Sequence, residues 1–485
     1  MKFSYALYQK ELKNRMRELE KAFQEEDLLK TICYLKYLSN FCYSINCKLS
    51  DDRLEQITKE ISLKYLGHTV IEHSHKNIII FYDNFGLANR GLANIYVKAL
   101  EKLGYKIVWI LYAYAPDVDE IQKMYKGKEN ISFRIIPQIP ILERMKMLRD
   151  IIKEISPRNL FVYTQPNDAD GIGAISTIGG NISRYLIDLT DHAFWLGKCA
   201  IDWVIGFRNY GYNVAVQYRG ILPDKIVILP YYPDARNEHA FEGMPFDTSK
   251  YEFIFSGGSP YKIEGNNTYK EIVQYILRHY TSMRFVYAGK GTNQILEELK
   301  EEFPNRFYKI DERKDLDAVL QHAKFYLSTY PIGGGLMMQY ALQNRCIALS
   351  LCDEDCVISD PKSFMLYPEK VNFVFYNQID LYAEIDHLMG DEEYYLNYKN
   401  DVKQQIISEN EFITQLGCIL DEKKTIFSST PQQIKMEPFM EIYKKNATYE
   451  QYCKIIFDSR NKWIYKKHPF IVRRMKKASQ TKEAN

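Results

Sequence analysis

The sequence predicts an α/β protein: two tandem Rossmann-like domains facing a cleft, with an N-terminal helical bundle before them and a C-terminal helical extension after. Three observations lead there. At 485 residues and 46% hydrophobic content the chain exceeds one core, since single cores stop growing near about 250–300 residues. Short runs that are apolar on both faces alternate with amphipathic stretches, as parallel strands covered by helices require. That alternation breaks in the polar stretch "DARNEHAFEGMPFDTSK" and then restarts.

Residues 1–70 read as helices. Leu12, Met16, Leu19 and Phe23 recur at helical spacing, as do Leu54, Ile57, Ile61 and Tyr65. "LLKTICYLKYLSNFCYSI" is apolar enough for the middle helix of a bundle, and Ser50 or Asp51 offers an N-cap to the third. Residues 71–235 form the first α/β domain. "KNIIIFYD" is a strand, "NFGLANRGLANIYVKALEKLG" a glycine-bearing turn and helix, and "YKIVWILY" the next strand. "SFRIIPQ", "NLFVYTQ", "SRYLIDL" and "KIVILPYYP" continue the sheet, with "ILERMKMLRDIIKEI" as a crossover helix. "TQPNDADGIGAISTIGGN" reads as a long loop. Residues 236–250 are the linker. From 251 to 425 the strands "YEFIFSGG", "MRFVYAGKG", "RFYKID", "FYLSTYP" and "CIALSL" alternate with helices to make the second domain. Residues 426–485 complete the chain as the helical extension.

Composition narrows the function classes. With 64 basic against 62 acidic residues the formal charge is +2, without the basic excess of a nucleic-acid coat. Nine cysteines are scattered. Cys352 and Cys356 are the only close pair in polar surroundings and no second pair follows, so reduced thiols are expected rather than a zinc site. The N-terminus becomes charged too soon for a signal peptide, and no apolar run approaches the ~20 residues that span a bilayer. The expectation is a cytoplasmic protein. The basic tail "WIYKKHPFIVRRMKKASQTK" allows peripheral contact with an anionic membrane, a solvated tail being the simpler reading. The N-terminal helices allow a homo-oligomer.

Doubly wound sheets bind ligands outside the carboxyl ends of their strands, so the turns there carry the candidates. In "DNFGLANRG", Asn84, Gly86, Asn89 and Gly91 form a loop whose glycines admit close backbone approach before a helix N-terminus. Its spacing is not G-x-G-x-x-G and no acid ends the next strand, which speaks against a dinucleotide. In "FSGGSPYKIEGN", Gly257, Gly258 and Ser259 present backbone amides and Lys262 a positive charge, the two features a diphosphate needs. "YAGKGTN" puts Gly289 and Lys290 at a turn tip, where ligand contact and a plain tight turn are equally apt. "STYPIGGGLMMQYALQN" sets Gly333, Gly334 and Gly335 at a helix N-terminus as a phosphate cradle. Gln339, about one turn further, can reach a ribose hydroxyl.

In this order these stretches resemble the GT-B class of nucleotide-sugar glycosyltransferases, over about residues 76–420. The likeness is strongest at "FGLANRGLANIYVKALEKLGYKIV" and from "FIFSGGSPYK" through "GGGLMMQYALQNRCIAL". The layout is also similar, more loosely, to bacterial relatives of O-linked N-acetylglucosamine transferases. The resemblance implies a metal-independent hexosyltransferase with no cofactor, taking a nucleoside diphosphate sugar as substrate. Its acceptor would be a glycan, a lipid-linked molecule or a protein, in bacterial surface polysaccharide or glycoconjugate synthesis. Carried over by position, Gly257, Gly258 and Lys262 face the diphosphate, Gly333 to Gly335 cradle phosphate or sugar, and Gln339 sits by the ribose. Many retaining members place one glutamate before the glycine turn and another in the helix after it. "YPIGGGLMMQ" has neither, which leaves retaining and inverting chemistry both open. The missing acids also motivate a non-catalytic GT-B partner of an active transferase, and a nucleotide-sugar epimerase shares the layout.

An inverting transfer needs a base within hydrogen-bond reach of the acceptor hydroxyl. His192 in "DLTDHAFWLG" follows the strand "SRYLIDL", and Asp188 or Asp191 can orient it. A structural histidine is as well supported. A metal held by Asp188, Asp191 and His192 is less so, since ligands adjacent in sequence rarely converge without a distant fourth. Asp168 and Asp170, in the long loop, compete as the base. Phe194 and Trp195 more often fill core than stack on a sugar.

Overall fold

A computed structural model describes residues 5–440 apart from 47, 86–90, 116, 235–238, 355–359, 368–369 and 438–439. It opens with three helices, α1 (Tyr5–Gln24), α2 (Leu28–Ile45) and α3 (Asp52–Leu66). Asp27 caps α2, and Asp51, one of the two expected caps, holds the first amides of α3. The bundle is not a separate body. Leu35, Phe41 and Ile57 share one apolar core with Phe81, Ile110 and Phe161 of the first sheet. Buried Glu55 of α3 accepts from the amides of Gly197, Lys198 and Cys199 at 2.9–3.0 Å, fastening the bundle to the first domain.

Among the described residues the first domain has nine strands: Thr69–Ile71 (β1), His75–Asn84 (β2), Lys106–Tyr112 (β3), Ile131–Ile136 (β4), Pro157–Thr164 (β5), Ile178–Gly180 (β6), Ser183–Ile187 (β7), Trp203–Gly206 (β8) and Ile226–Ile228 (β9). Seven form a parallel sheet in the order β4-β3-β2-β5-β7-β8-β9, while β1 pairs with β6. Six of the seven are the expected strands, and the four-residue β8 is the addition. The stretch expected as a long loop holds the short β6 and a buried helix, Ala169–Ser176. Asp168 caps it by accepting the Gly171 amide. Its glycines serve packing: a Cβ on Gly171 would stand 2.0 Å from the Tyr82 hydroxyl, and one on Gly173 2.5 Å from Ser62 Oγ.

The second domain holds Phe253–Gly257 (β10), Arg284–Ala288 (β11), Phe307–Ile310 (β12), Phe325–Leu327 (β13), Ile347–Leu351 (β14) and Val374–Phe375 (β15). They form a parallel sheet ordered β12-β11-β10-β13-β14-β15, the expected five strands plus the two-residue β15. In each sheet the strand order reverses at the centre, between β2 and β5 and between β10 and β13. A crevice opens at the carboxyl ends of those strands.

The chain then returns to its first half. Helix Glu409–Glu422, which the sequence places in the second domain, packs Phe412, Leu416 and Ile419 into the first domain's core. Residues 430–436 run on along helix Asn209–Arg219. Asn209 Oδ1 accepts the Thr430 amide at 2.7 Å, Asn213 Oδ1 that of Gln432 at 2.8 Å, and Gln217 Oε1 that of Ile434 at 3.1 Å. Asn213 and Gln217 donate back to the Thr430 and Gln432 carbonyls at 3.0 and 2.6 Å. One amide side chain per helical turn thus serves every second residue of an extended strap, and Pro431 falls where no N–H is needed. Residues 441–485, with the basic tail, lie outside the described residues. No helix among the described residues is long and apolar enough to cross a membrane.

Candidate functional site

One wall of the crevice is built at the end of β10. A Cβ on Gly257 would stand 2.9 Å from the Ala288 carbonyl, and one on Gly289 would stand 2.2 Å from the Gly258 carbonyl. These two glycines let neighbouring strand ends touch backbone to backbone. Gly258 sits at φ +147°, a conformation that disfavours any side chain. Lys262 folds back across this turn. A Cβ on Gly258 would lie 3.6 Å from its Cδ, and one on Gly334 would lie 3.7 Å from its Nζ. The ammonium therefore ends at the N-terminus of helix Gly335–Gln343. Burial pushes its pKa down, and no carboxylate among the described residues pairs with it. A half-buried cation beside open helix amides, with no counter-ion, is set for an anion.

The facing wall is the turn after β7. Asp191, 1% exposed, is gripped by Arg208: Nε to Oδ2 at 2.6 Å and Nη2 to Oδ1 at 2.8 Å. Burial works to raise the Asp191 pKa, but the charge and hydrogen bonds of Arg208 outweigh it and bring it down to about 2. His192 Nδ1 stands 3.4 Å from Asp191 Oδ1, with 36% of the side chain exposed. Arg219 fixes the turn from beneath. It lies over Trp195 at 4.6 Å and donates to the carbonyls of Asp191 and Ala193 at 3.0 and 2.8 Å. Asn46, at the end of α2, donates to the His192 carbonyl at 3.2 Å. Asp188, 3% exposed, has its pKa raised to about 6 by burial, against the pull of Arg219. The carbonyls of Asp191, His192 and Ala193 are thus held by side chains while the imidazole itself reaches solvent.

Arg208 also joins the walls. Its Nη1 reaches Ser363 Oγ at 3.2 Å, and its guanidinium stacks on Phe364 at 4.3 Å. Phe364 lies so close to Gly335 that a Cβ there would meet its ring at 2.6–2.9 Å. His192, Asp191, Arg208, Phe364 and Gly335 therefore form one continuous line of contact from the first domain to the second.

The other expected residues fall in different places. Ser259 and Lys290 are exposed beside the β10 and β11 turns, and Gly333 is half-buried before the helix. Asn84 ends β2 at 6% exposure and Gly91 begins helix Gly91–Lys102, while Gly86 and Asn89 lie outside the described residues.

Two expectations need correction. Asp170 is no free base: at 1% exposure it binds Lys36 through Oδ1 at 2.6 Å and Arg144 through Oδ2 at 2.6 Å. Burial opposes its ionisation, and the two cations hold its pKa low nonetheless. Asp168 is likewise engaged, by Tyr82 and Thr164 at 2.6 Å each. Gln339 does not face a ribose: 1% exposed, it donates to the Tyr231 carbonyl at 3.1 Å and pins the segment between the domains. Sequence reasoning missed Arg208, Arg219, Ser363 and Phe364. Arg208 follows the short β8, and its partners Ser363 and Phe364 come from a distant turn. Among the described residues no group of three or more potential metal ligands gathers.

The architecture has solved counterparts. A mutant O-GlcNAc transferase from Thermobaculum terrenum is similar at 12% identity with a TM-score of 0.54, over 88% of this chain and 81% of that one. The lipopolysaccharide outer core galactosyltransferase WaaB is similar at 13% identity and 0.50, over 71% and 99%. A putative UDP-N-acetylglucosamine 2-epimerase from Listeria monocytogenes is similar at 12% and 0.50, over 73% and 100%. The chain has the GT-B fold. No protein-family model matches it, and no curated protein matches it in sequence.

Proposed function

We propose that the chain is a glycosyltransferase moving a sugar from a nucleoside diphosphate sugar to a glycan, lipid-linked or protein acceptor in surface glycan or glycoconjugate synthesis. The observation that carries this is Lys262, a half-buried ammonium with no counter-ion among the described residues, at the mouth of helix Gly335–Gln343. As the sugar leaves, negative charge grows on the diphosphate, and a fixed cation with helix amides stabilises it there without a metal. His192, solvent-reaching and backed by Asp191, accepts the proton of the attacking hydroxyl.

A thermal-shift screen with UDP, GDP, CDP, dTDP and NAD tests the reading. A nucleoside diphosphate should raise the melting temperature of the parent and not of Lys262→Ala. A response to NAD alone would sink it. The epimerase-like neighbour supports a second reading, in which the donor is interconverted with no acceptor present. Incubating the matching nucleotide sugar alone separates the two, since an epimer appears only in that case.

A further inference from the structure

We propose that Arg208 is a positioning residue that ties the His192 turn to the second domain, so that occupying the glycine-turn site fixes the imidazole. The proposal rests on the cleft being a transferase site. Its geometry is on the page: one guanidinium, 4% exposed, spends Nε and Nη2 on Asp191 and Nη1 on Ser363. Arginine alone offers such a rigid fork of donors. Its planar face is used as well, against Phe364 at 4.3 Å, Tyr210 at 4.6 Å and Phe207 at 5.2 Å.

Phe364 is the moving part in this arrangement. It is wedged between Arg208 and Gly335, and Phe207 stacks on it at 5.5 Å. An anion settling between Lys262 and the Gly335 amide acts on the backbone that Phe364 touches. A shift of that ring is passed through Arg208 to Asp191. The Asp191–His192 separation of 3.4 Å is long for a hydrogen bond, so a movement of about half an ångström completes it. Donor occupancy and base orientation are then one event, which keeps the base unset until there is something to transfer.

The test measures hydrogen exchange at the backbone amides of residues 190–196, with and without whichever of UDP, GDP, CDP or dTDP stabilises the parent chain. In the parent, the nucleotide should slow exchange across this turn. In Arg208→Ala the nucleotide should bind with parental affinity yet leave exchange unchanged. Because removing Arg208 strands Asp191, the double variant Ser363→Ala, Phe364→Leu cuts the line at its other end with Asp191 still paired. It should lose the response too. Turnover should fall about 100-fold in Arg208→Ala at unchanged donor KM, the scale of a misplaced catalytic group, and Arg208→Lys should recover part of it. Parental slowing of exchange in both variants overturns the proposal alone. A parent chain that binds none of the four nucleotides overturns the transferase reading and the proposal with it.

Discussion

In the proposed transfer His192 and Lys262 divide the chemistry between them, and each can be removed alone. His192→Ala should keep nucleotide affinity and lose transfer by about 10²–10⁴-fold, the usual worth of a general base. Equal turnover in that variant, in an initial-rate assay, removes His192 from the mechanism. Lys262→Ala should weaken nucleoside diphosphate binding by about 10–100-fold, the worth of one charge-assisted hydrogen bond, read by calorimetry. Asp188 carries a different signature. Its folded pKa of about 6 lies above its ordinary 3.8, so between these values the folded chain keeps a proton that the unfolded chain has lost. Stability therefore falls as pH rises through that window and stays lower above it, by up to about 3 kcal/mol. Asp188→Asn should flatten the dependence, gaining more in urea midpoint at about pH 8 than at about pH 4. An equal shift at both pH values contradicts the assignment.

Strands and helices differed in how far they could be read. The isoleucine-rich β2 and the amphipathic helix Ile141–Ile155 stand out because burial on two faces, or on one stripe, leaves a period in the sequence. β8 leaves none at four residues, and with it went Arg208 and the turn that joins the domains. Helix Ala169–Ser176 was hidden for the opposite reason. Its glycines look like loop punctuation, yet they are there because Tyr82 and Ser62 press on the helix. Gly171→Ala should cost at least the 1–3 kcal/mol, roughly, of an overpacked core, measured by denaturant unfolding. A neutral effect would mean that Tyr82 has room to move. The glycine turns at β10 and β13 were legible as strand-end turns, and the structure accounts for Gly257 and Gly289 by contact between neighbouring strand ends. Of the candidate bases, the pairing of Asp170 with Lys36 was beyond reach, since the two are 134 residues apart.

Across the whole molecule, the first domain is closed by segments that flank the two sheets: α1 to α3 before them, and helix Glu409–Glu422 with its strap after them. Deleting residues 1–66 should therefore unfold the first domain rather than trim it, leaving only the second domain's transition in a calorimetric scan. Two preserved transitions would show the bundle to be dispensable. The strap has a limit written into its geometry. Four helical residues advance about 6.0 Å, while two extended residues advance about 6.6–6.8 Å, so each rung between helix and strap slips by about 0.7 Å. The two rulers, set together at Thr430, are out by more than an ångström by the third rung, roughly as much as hydrogen bonds can absorb. The helix itself ends at Arg219, so no amide side chain stands four residues beyond Gln217 and the ladder stops at Ile434, where the strap passes to an apolar grip in which Ile434 and Met436 lie with Leu49, Tyr210 and Val214. A clasp that measures spacing rather than side chains tolerates almost any residue at position 433, but not one residue more or fewer between Thr430 and Ile434.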